Sequence, residues 1–307
     1  MGGWLKRFQK RPFISTIRER LIRPFLYLHT TAVHPVPAQP SEQHGVIARQ
    51  LDRLQAQGQL VATVDELAMM GGLSYLAARR QLERLTPRVV RLPGSASSFL
   101  IVPPEHQVRG APPVAAWLDA YLQRRGQPYY LGLLSAAALH GASQQAVQVT
   151  QVITDFAIRP IDIGRLHLDF YVKHHVRKTP LSALPGLPAP LAVSTPEATA
   201  LDLIAFNTRI GGIRRVAEVI AEMQSAFTVA GLRQALAAEQ QTALKQRLGY
   251  VLEVLGMDRL AAEVRKVLPE RCALAVLQTH ARMRVSRDEA ILPWMVVDNV
   301  GLKAQCA

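Results

Sequence analysis

The 307-residue sequence predicts an α+β protein with two unlike folded parts behind a basic extension. Apolar residues make up 49% of the chain, which is enough for a sizeable core. Helical spacing of apolar residues begins at Val46 and gives way to a hairpin pattern near residue 90. Strand-like alternation then precedes a long, mainly helical stretch. The predicted parts are residues 1–45, 46–108 and 109–307.

The extension, residues 1–45, is basic and ends in a proline-containing run. Its first 40 residues hold seven Lys and Arg against one acid, within a net charge of +13 for the chain. Three prolines in "VHPVPAQPSEQHG" indicate a flexible linker. The basic segment is compatible with a DNA-contacting arm, with a transit-like piece, or with translation that starts downstream. We expect a tail without a specific role.

Residues 46–108 show two helices, a glycine turn, a third helix and a hairpin, in that order. Apolar residues recur at helical spacing from Ile47 to Leu54. Thr63 and Glu66 form the capping box of the second helix, and Ser74 can cap the third after a Gly-Gly turn. The segment "VVRLPGSASSFLIV" alternates around a Pro-Gly-Ser tip, as hairpins do. This order predicts a winged helix-turn-helix.

The third helix is predicted to present a basic outer face. On a wheel of about 100° per residue, four residues face the core: Tyr75, Ala78, Leu82 and Leu85. Arg80 and Arg84 lie opposite, where a guanidinium can reach guanine O6 and N7. Leu76 also points outward, which fits contact with a thymine methyl group or an error in this register. The predicted DNA-binding residues are Ser74, Arg79, Arg80, Arg84, Arg88, Arg91, Ser95 and Ser97.

Two other interpretations of this part stay open. Arg80 and Arg84 are also typical of a solvated surface helix, with Glu83 beside them. Winged helices serve as protein-binding modules as well.

The second part begins with a helix that we expect to end at Gly126. The segment "VTQVITD" predicts a strand, and "IDIGRLHLDFYV" predicts another that alternates imperfectly around Gly164. From Ser194 onward helices dominate, and "PWMVVDN" could return as an edge strand. Ser194 and Glu197 are predicted to cap the first of these helices as a capping box, with Pro196 in its first turn.

The segment "YYLGLLSAAALHG" carries Ser135 and His140, a tempting catalytic pair. On a helix they lie about 140° apart, so they do not face each other. We therefore expect Ser135 to be an N-cap and His140 to lie in the last turn, where a partly positive imidazole complements the helix dipole. Asp202, early in a later helix, could be functional, but the same dipole explains an acid there equally well.

Metal sites are weakly indicated. His174 and His175, as adjacent strand residues, would point to opposite faces. The two cysteines, Cys272 and Cys306, lie in no CxxC motif. We expect no metal, no cofactor and no membrane span, and a cytoplasmic location.

Four segments of the second part together resemble the AbiEi family: "YYLGLLSAAALHGASQQAVQVTQVIT", "RPIDIGRLHLDFYVKHH", "VSTPEATALDLIAFNTRIGGIRRVAEVIAE" and "RLGYVLEVLG". These proteins are antitoxins and transcriptional regulators of type IV toxin–antitoxin systems. The resemblance implies a non-enzymatic protein whose winged helix represses its own promoter by binding inverted repeats in double-stranded DNA. It implies that the second domain opposes a nucleotidyltransferase-like toxin of the AbiEii type without a stable complex.

Two alternatives to this function remain. One is a metal-dependent nuclease or nucleotidyltransferase targeted by the winged helix, for which Asp155, Asp162 and Asp169 are the candidate acids. "HLDFYVK" resembles a restriction-type nuclease core weakly, since Tyr171 stands where that core needs an acid two residues before Lys173. The other is a solitary transcriptional regulator without a toxin partner.

Overall fold

The computed structural model describes residues 45–93, 97–142, 149–182, 191–278 and 286–306. Within these ranges it confirms the predicted class, a mixture of helices and sheets. The predicted extension up to residue 44, and Ser95 at the hairpin tip, lie outside the described residues.

Residues 46–101 form three helices and a small antiparallel sheet. The three helices and the hairpin follow one another as predicted, but the short strand between the first two helices was not predicted. The helices are α1 (Val46–Ala56), α2 (Val64–Gly71) and α3 (Tyr75–Glu83). The strands are β1 (Val61–Thr63), β2 (Val89–Arg91) and β3 (Ser98–Ile101). The sheet order is β1-β3-β2, so the hairpin strand β3 pairs with both of the others.

The predicted caps of these helices are confirmed. The side chain of Thr63 accepts a hydrogen bond from Glu66 N–H, and the Glu66 side chain accepts one from Thr63 N–H, at 3.2 and 2.9 Å. Gly72 ends α2 in the left-handed region, with a φ of 63°. Ser74 then caps α3 by accepting a bond from Ala77 N–H at 3.3 Å. Local side-chain chemistry therefore fixes the turn between α2 and α3.

The second part is built on a six-stranded mixed sheet of order β6-β7-β5-β4-β9-β8. Its strands are β4 (Tyr129–Leu131), β5 (Val149–Thr154), β6 (Ile161–Ile163), β7 (Leu166–Val172), β8 (Leu181–Ser182) and β9 (Val193–Ser194). Strand β5 runs parallel to β7, and β4 runs parallel to β9; the other pairs are antiparallel.

The second part contains eight α-helices within the described residues, and the chain after Ser194 is mainly helical, as predicted. They are α4 (Leu118–Gln123), α5 (Leu133–Leu139), α6 (Pro196–Ala205), α7 (Ile213–Glu222), α8 (Val229–Ala238), α9 (Thr242–Val254), α10 (Asp258–Lys266) and α11 (Lys303–Cys306). The predicted late strand is β11 (Val296–Val297), which pairs with β10 (Ala275–Val276).

One predicted strand is in fact a hairpin. Residues 161–172 form β6 and β7, which pair with each other across a turn at Gly164. Gly164 has a φ of 58°, and a Cβ atom there would overlap the carbonyl of Arg109 and the Cα of Gly110. The close approach of the 109–110 backbone therefore requires glycine at this turn.

Two apolar clusters use opposite faces of the large sheet. Tyr130 and Ile153 face helices α5–α10, whereas Leu131 and Val152 face α4. The second cluster also takes in the outer face of the small sheet, through residues such as Leu100. The inner face of the small sheet packs on α1–α3. Whether residue 108 divides two domains stays a prediction.

Within the described ranges, no helix combines the length and the apolar composition that a membrane crossing requires.

Candidate nucleic-acid interface

Helix α3 presents a basic outer face, as its sequence predicts. Ala78 and Leu82 are fully buried, and Arg80 and Arg84 on the opposite side are exposed. Leu76 is 53% exposed, so the predicted register was correct at this residue. Tyr75 was predicted to face the core, which is wrong, since it is 39% exposed. As the first residue of the helix, it lies beyond the layer in which Ala78 and Leu82 pack.

The predicted arginines divide into paired and unpaired groups. Arg79 bonds to Glu83 one turn further along α3, with Nε and Oε1 3.0 Å apart. Arg88 forms an ion pair with Asp52 of α1. Arg80, Arg84 and Arg91 form no ion pair with any described residue and are exposed. These three guanidinium groups are the available cations of the predicted set.

The hairpin brings a further predicted residue close to the helices. The carbonyl of Ser97 accepts a bond from Val64 N–H at the start of α2, at 2.8 Å. Arg91 lies at the outer end of β2, opposite Phe99. The hairpin is thus attached to the helix that precedes α3, and Arg91 on its first strand is exposed.

A second set of contacts fixes α2 to the rest of the molecule. Arg124, just after α4, donates two hydrogen bonds to the carboxylate of Glu66. Burial alone would raise the pKa of Glu66, but the bonds from Arg124 and Thr63 outweigh it and lower the pKa. Tyr121 donates its hydroxyl to the carbonyl of Pro93 in the hairpin, at 2.5 Å. Helix α4 and the residue just after it therefore hold both α2 and the hairpin in place.

The candidate nuclease acids are not brought together. Asp162 on β6 pairs with His167, whereas Asp169 on β7 lies beside Gln151 of β5. Asp155 follows the end of β5. Among the described residues, no three His, Cys, Asp or Glu side chains come close enough to share a metal ion. The alternative of a metal-dependent nuclease gains no support from this geometry.

The lysine of the nuclease-like segment has a different partner. Lys173 Nζ lies 2.7 Å from Oδ1 of Asp202, which also accepts a bond from the Tyr130 hydroxyl at 2.8 Å. Burial raises the pKa of Asp202, although Lys173 acts in the opposite direction. Asp202 is fully buried and lies beyond the first turn of α6, so the predicted role at the helix dipole is wrong.

Lys173 lines a cleft of about 520 Å³, whereas its partner Asp202 is buried behind it. His174 and His175 line its rim, in a turn after β7 and not in a strand as predicted. His175 has a φ of 60°, which takes the chain away from the sheet. Because Lys173 is already paired and hydrogen-bonded, we interpret it as part of the core of this region.

Ser135 and His140 have separate structural partners. Ser135 lies within α5 and accepts a bond from Gln151 N–H at 2.8 Å, so the predicted N-cap was wrong; the cap position belongs to Gly132. His140 ends α5, as predicted, and its Nε2 lies 2.6 Å from the carbonyl oxygen of Ser194. Burial lowers the pKa of His140, so the expected positive charge is not favoured there.

The capping box predicted for α6 from Ser194 and Glu197 was wrong, because the N-cap lies one residue later and no reciprocal bond forms. Thr195 is the N-cap, and its side chain accepts a bond from Ala198 N–H at 3.3 Å. Glu197 instead accepts bonds from the backbone and hydroxyl of Thr228, at 2.6 and 3.0 Å. Pro196 occupies the first turn, as predicted.

Residues 130–254 match the family model of the AbiEi antitoxin C-terminal domain, which confirms the resemblance found in the sequence. A crystal structure of the RV2827C protein from Mycobacterium tuberculosis has a similar fold, with a TM-score of 0.59. The two chains are 18% identical, over 88% of this chain and 97% of the other. No curated protein matches the chain. The family match supports a role as the antitoxin of a type IV toxin–antitoxin system.

Proposed function

We propose that this antitoxin-like chain also binds double-stranded DNA, through residues 46–108, and represses its own promoter. The cognate sites would be inverted repeats upstream of the gene. The second part, residues 109–307, would oppose a nucleotidyltransferase-like toxin without forming a stable complex with it.

One observation carries the DNA-binding part of the proposal. Arg80 and Arg84 are exposed on the outer face of α3 and have no acidic partner among the described residues. A helix of this type fits the major groove, where guanidinium groups bind the O6 and N7 atoms of guanine. Arg91 on the hairpin adds a cation suited to a phosphate. Simple surface solvation stays the alternative, because a chain with a net charge of +13 has unpaired cations at other positions as well.

The other predicted residues would have supporting roles. Ser74 and the free N–H groups at the start of α3 suit a phosphate oxygen. Arg79 and Arg88 already have acidic partners, so we expect each to contribute less to binding than Arg80 or Arg84. Ser95 and Ser97 stay candidates for backbone contacts from the hairpin.

The DNA-binding proposal is tested by fluorescence anisotropy with the full chain, the upstream DNA of the gene and a scrambled duplex, at several salt concentrations. We expect a preference of about a thousandfold or more for the upstream DNA. Arg80→Ala or Arg84→Ala should cost about 1–3 kcal/mol if the side chain contacts a base. A phosphate contact would instead weaken binding to both duplexes and lower the salt slope by about one.

Arg259→Ala is the matched control, because it removes the same charge from an exposed position on α10. If Arg80→Ala and Arg84→Ala bind both duplexes as Arg259→Ala does, the assignment of α3 as the DNA-contacting helix is wrong. Equal binding of the unmodified protein to both duplexes would contradict sequence-specific repression.

The antitoxin part requires a cellular assay. Co-expression with a nucleotidyltransferase-like toxin encoded beside the gene should restore growth. The double variant Arg80→Ala, Arg84→Ala should restore growth equally well, because the proposed toxin-opposing function lies in residues 109–307. A toxin that arrests growth despite the unmodified chain would contradict this role.

A further inference from the structure

Leu76 is an apolar side chain placed among unpaired cations. It is 53% exposed, one turn before Arg80 on α3. Ala78 and Leu82 of the same helix are fully buried, so the exposure of Leu76 is not an error of register. An exposed leucine contributes nothing to the core and leaves its apolar surface in water.

Leu76 and Arg80 share one face of the helix. Residues four apart lie about 6 Å apart along the axis and about 40° apart around it. Base pairs follow one another at about 3.4 Å. Two such side chains in a major groove would therefore reach base pairs one or two steps apart.

The chemistry of the groove limits what Leu76 can contact. Leucine has no donor or acceptor, and the C5-methyl group of thymine is the apolar group that base pairs display in the major groove. We propose that Leu76 packs on a thymine methyl group one or two base pairs from the guanine bound by Arg80. This inference rests on the DNA-binding function proposed above and adds a defined base step to it.

Charge favours DNA over a protein as the occupant of this face. Arg80, Arg84 and Arg91 are exposed without an acidic partner among the described residues. An apolar protein partner would have to desolvate these cations, whereas a polyanion pairs with them. The other strongly exposed apolar residue nearby, Met69 at 82%, lies on α2 and serves as a control.

The test uses the full chain and its mapped upstream site, with each thymine replaced singly by deoxyuridine. This replacement removes only the 5-methyl group. We expect this replacement to lower the affinity at one thymine position, which recurs in each half-site. The loss should be about fourfold, as for the loss of one buried methyl contact. Leu76→Ala should bind the thymine and uracil duplexes equally at that position, whereas Leu76→Met and Met69→Ala should keep the difference.

A second substitution locates the guanine. Replacing single guanines by 7-deazaguanine removes the N7 atom. At the guanine that Arg80 contacts, this replacement should weaken binding of the unmodified chain but not of Arg80→Ala. It should lie one or two base pairs from the methyl-sensitive thymine. Circular dichroism of each variant checks that the helices are retained.

The outcomes separate the two proposals. In one outcome the unmodified chain binds its upstream DNA specifically, while Leu76→Ala still loses affinity at every thymine-to-deoxyuridine replacement that affects the unmodified chain. This result would overturn the thymine contact and leave the repressor function intact. A methyl-sensitive thymine far from the guanine would overturn the proposed step. If the unmodified chain does not prefer its upstream DNA, the function itself fails, and the inference fails with it.

Discussion

Replacing Lys173 by methionine would test whether this lysine is structural or belongs to a functional centre. Methionine keeps most of the apolar stem and removes the ammonium group. The Asp202 side chain is 1% exposed, so the substitution leaves a carboxylate in the core with only the Tyr130 hydroxyl as a described partner. Removing one partner of a buried ion pair costs about 3–5 kcal/mol. Because the Lys173 side chain is 20% exposed, we expect the lower end, about 3 kcal/mol near pH 8.

The loss should depend on pH in a definite direction. Burial raises the pKa of Asp202 above 3.8, Lys173 and Tyr130 lower it, and the charge of Glu239 raises it. A carboxyl with a raised folded-state pKa stabilises the fold fully below its unfolded pKa and loses this contribution as pH rises through the folded value. Without Lys173 that folded pKa rises further. The difference in stability between the two proteins should therefore widen with pH, by about 1.4 kcal/mol per unit of added pKa shift.

The measurement is urea unfolding followed by circular dichroism at pH 5 and pH 8. Lys178→Met is the control, because it removes one exposed ammonium group from the same turn without contacting Asp202. In the Asp202→Asn background, Lys173→Met should change the stability by the same amount at both pH values. A Lys173→Met protein as stable as the control, or a deficit equal at both pH values, would refute the structural interpretation of the pair.

Three further substitutions give separate tests by thermal or urea unfolding. Thr63→Ala removes the side-chain half of the α2 capping box and should cost about 0.5–2 kcal/mol; an unchanged stability would mean that the cap contributes nothing. Ser135→Ala leaves the buried N–H of Gln151 unpaired and should cost about 1–3 kcal/mol with DNA affinity unchanged, whereas a loss of affinity would point to a functional serine. Gly249→Ala places a Cβ atom inside the ring of buried Trp294 and should cost about 1–3 kcal/mol or more, and a neutral effect would show that the ring can move aside.

Features that depend on three or four neighbouring residues could be predicted from the sequence. The capping box of Thr63 and Glu66 and the cap at Ser74 involve partners three residues away. The outward direction of Leu76 followed from helical periodicity alone. The predicted role of Ser135 was wrong, because its partner Gln151 is 16 residues away on a strand.

Features that depend on the three-dimensional pairing of segments could not be predicted. Apolar residues alternate from residue 161 to 172 with the same period whether the chain continues straight or reverses at Gly164. The pattern therefore could not distinguish one long strand from two paired strands. The Lys173–Asp202 pair joins residues 29 apart, and the acid lies in a mainly apolar segment, "ATALDLIA". A buried acid in such a segment was the signal that could have indicated a partner from elsewhere in the chain. The pairing of Arg88 with Asp52, 36 residues away, likewise depends on packing, whereas the pair of Arg79 and Glu83 is local to α3.

Among the described residues, apolar side chains on both faces of the small sheet are packed against other elements, which bears on how this protein can be divided or recombined. Phe99 and Ile101 pack on helices α1–α3, while Leu100 between them packs in the cluster that includes α4 and the large sheet. A fragment cut after residue 108 would carry that second apolar face exposed, and we expect it to aggregate. Exchanging the first hundred residues for those of another regulator would fail for the same reason unless α4 were exchanged with them. We therefore expect the proposed DNA-binding part to be stable only together with α4 and the large sheet, and not as a module of its own.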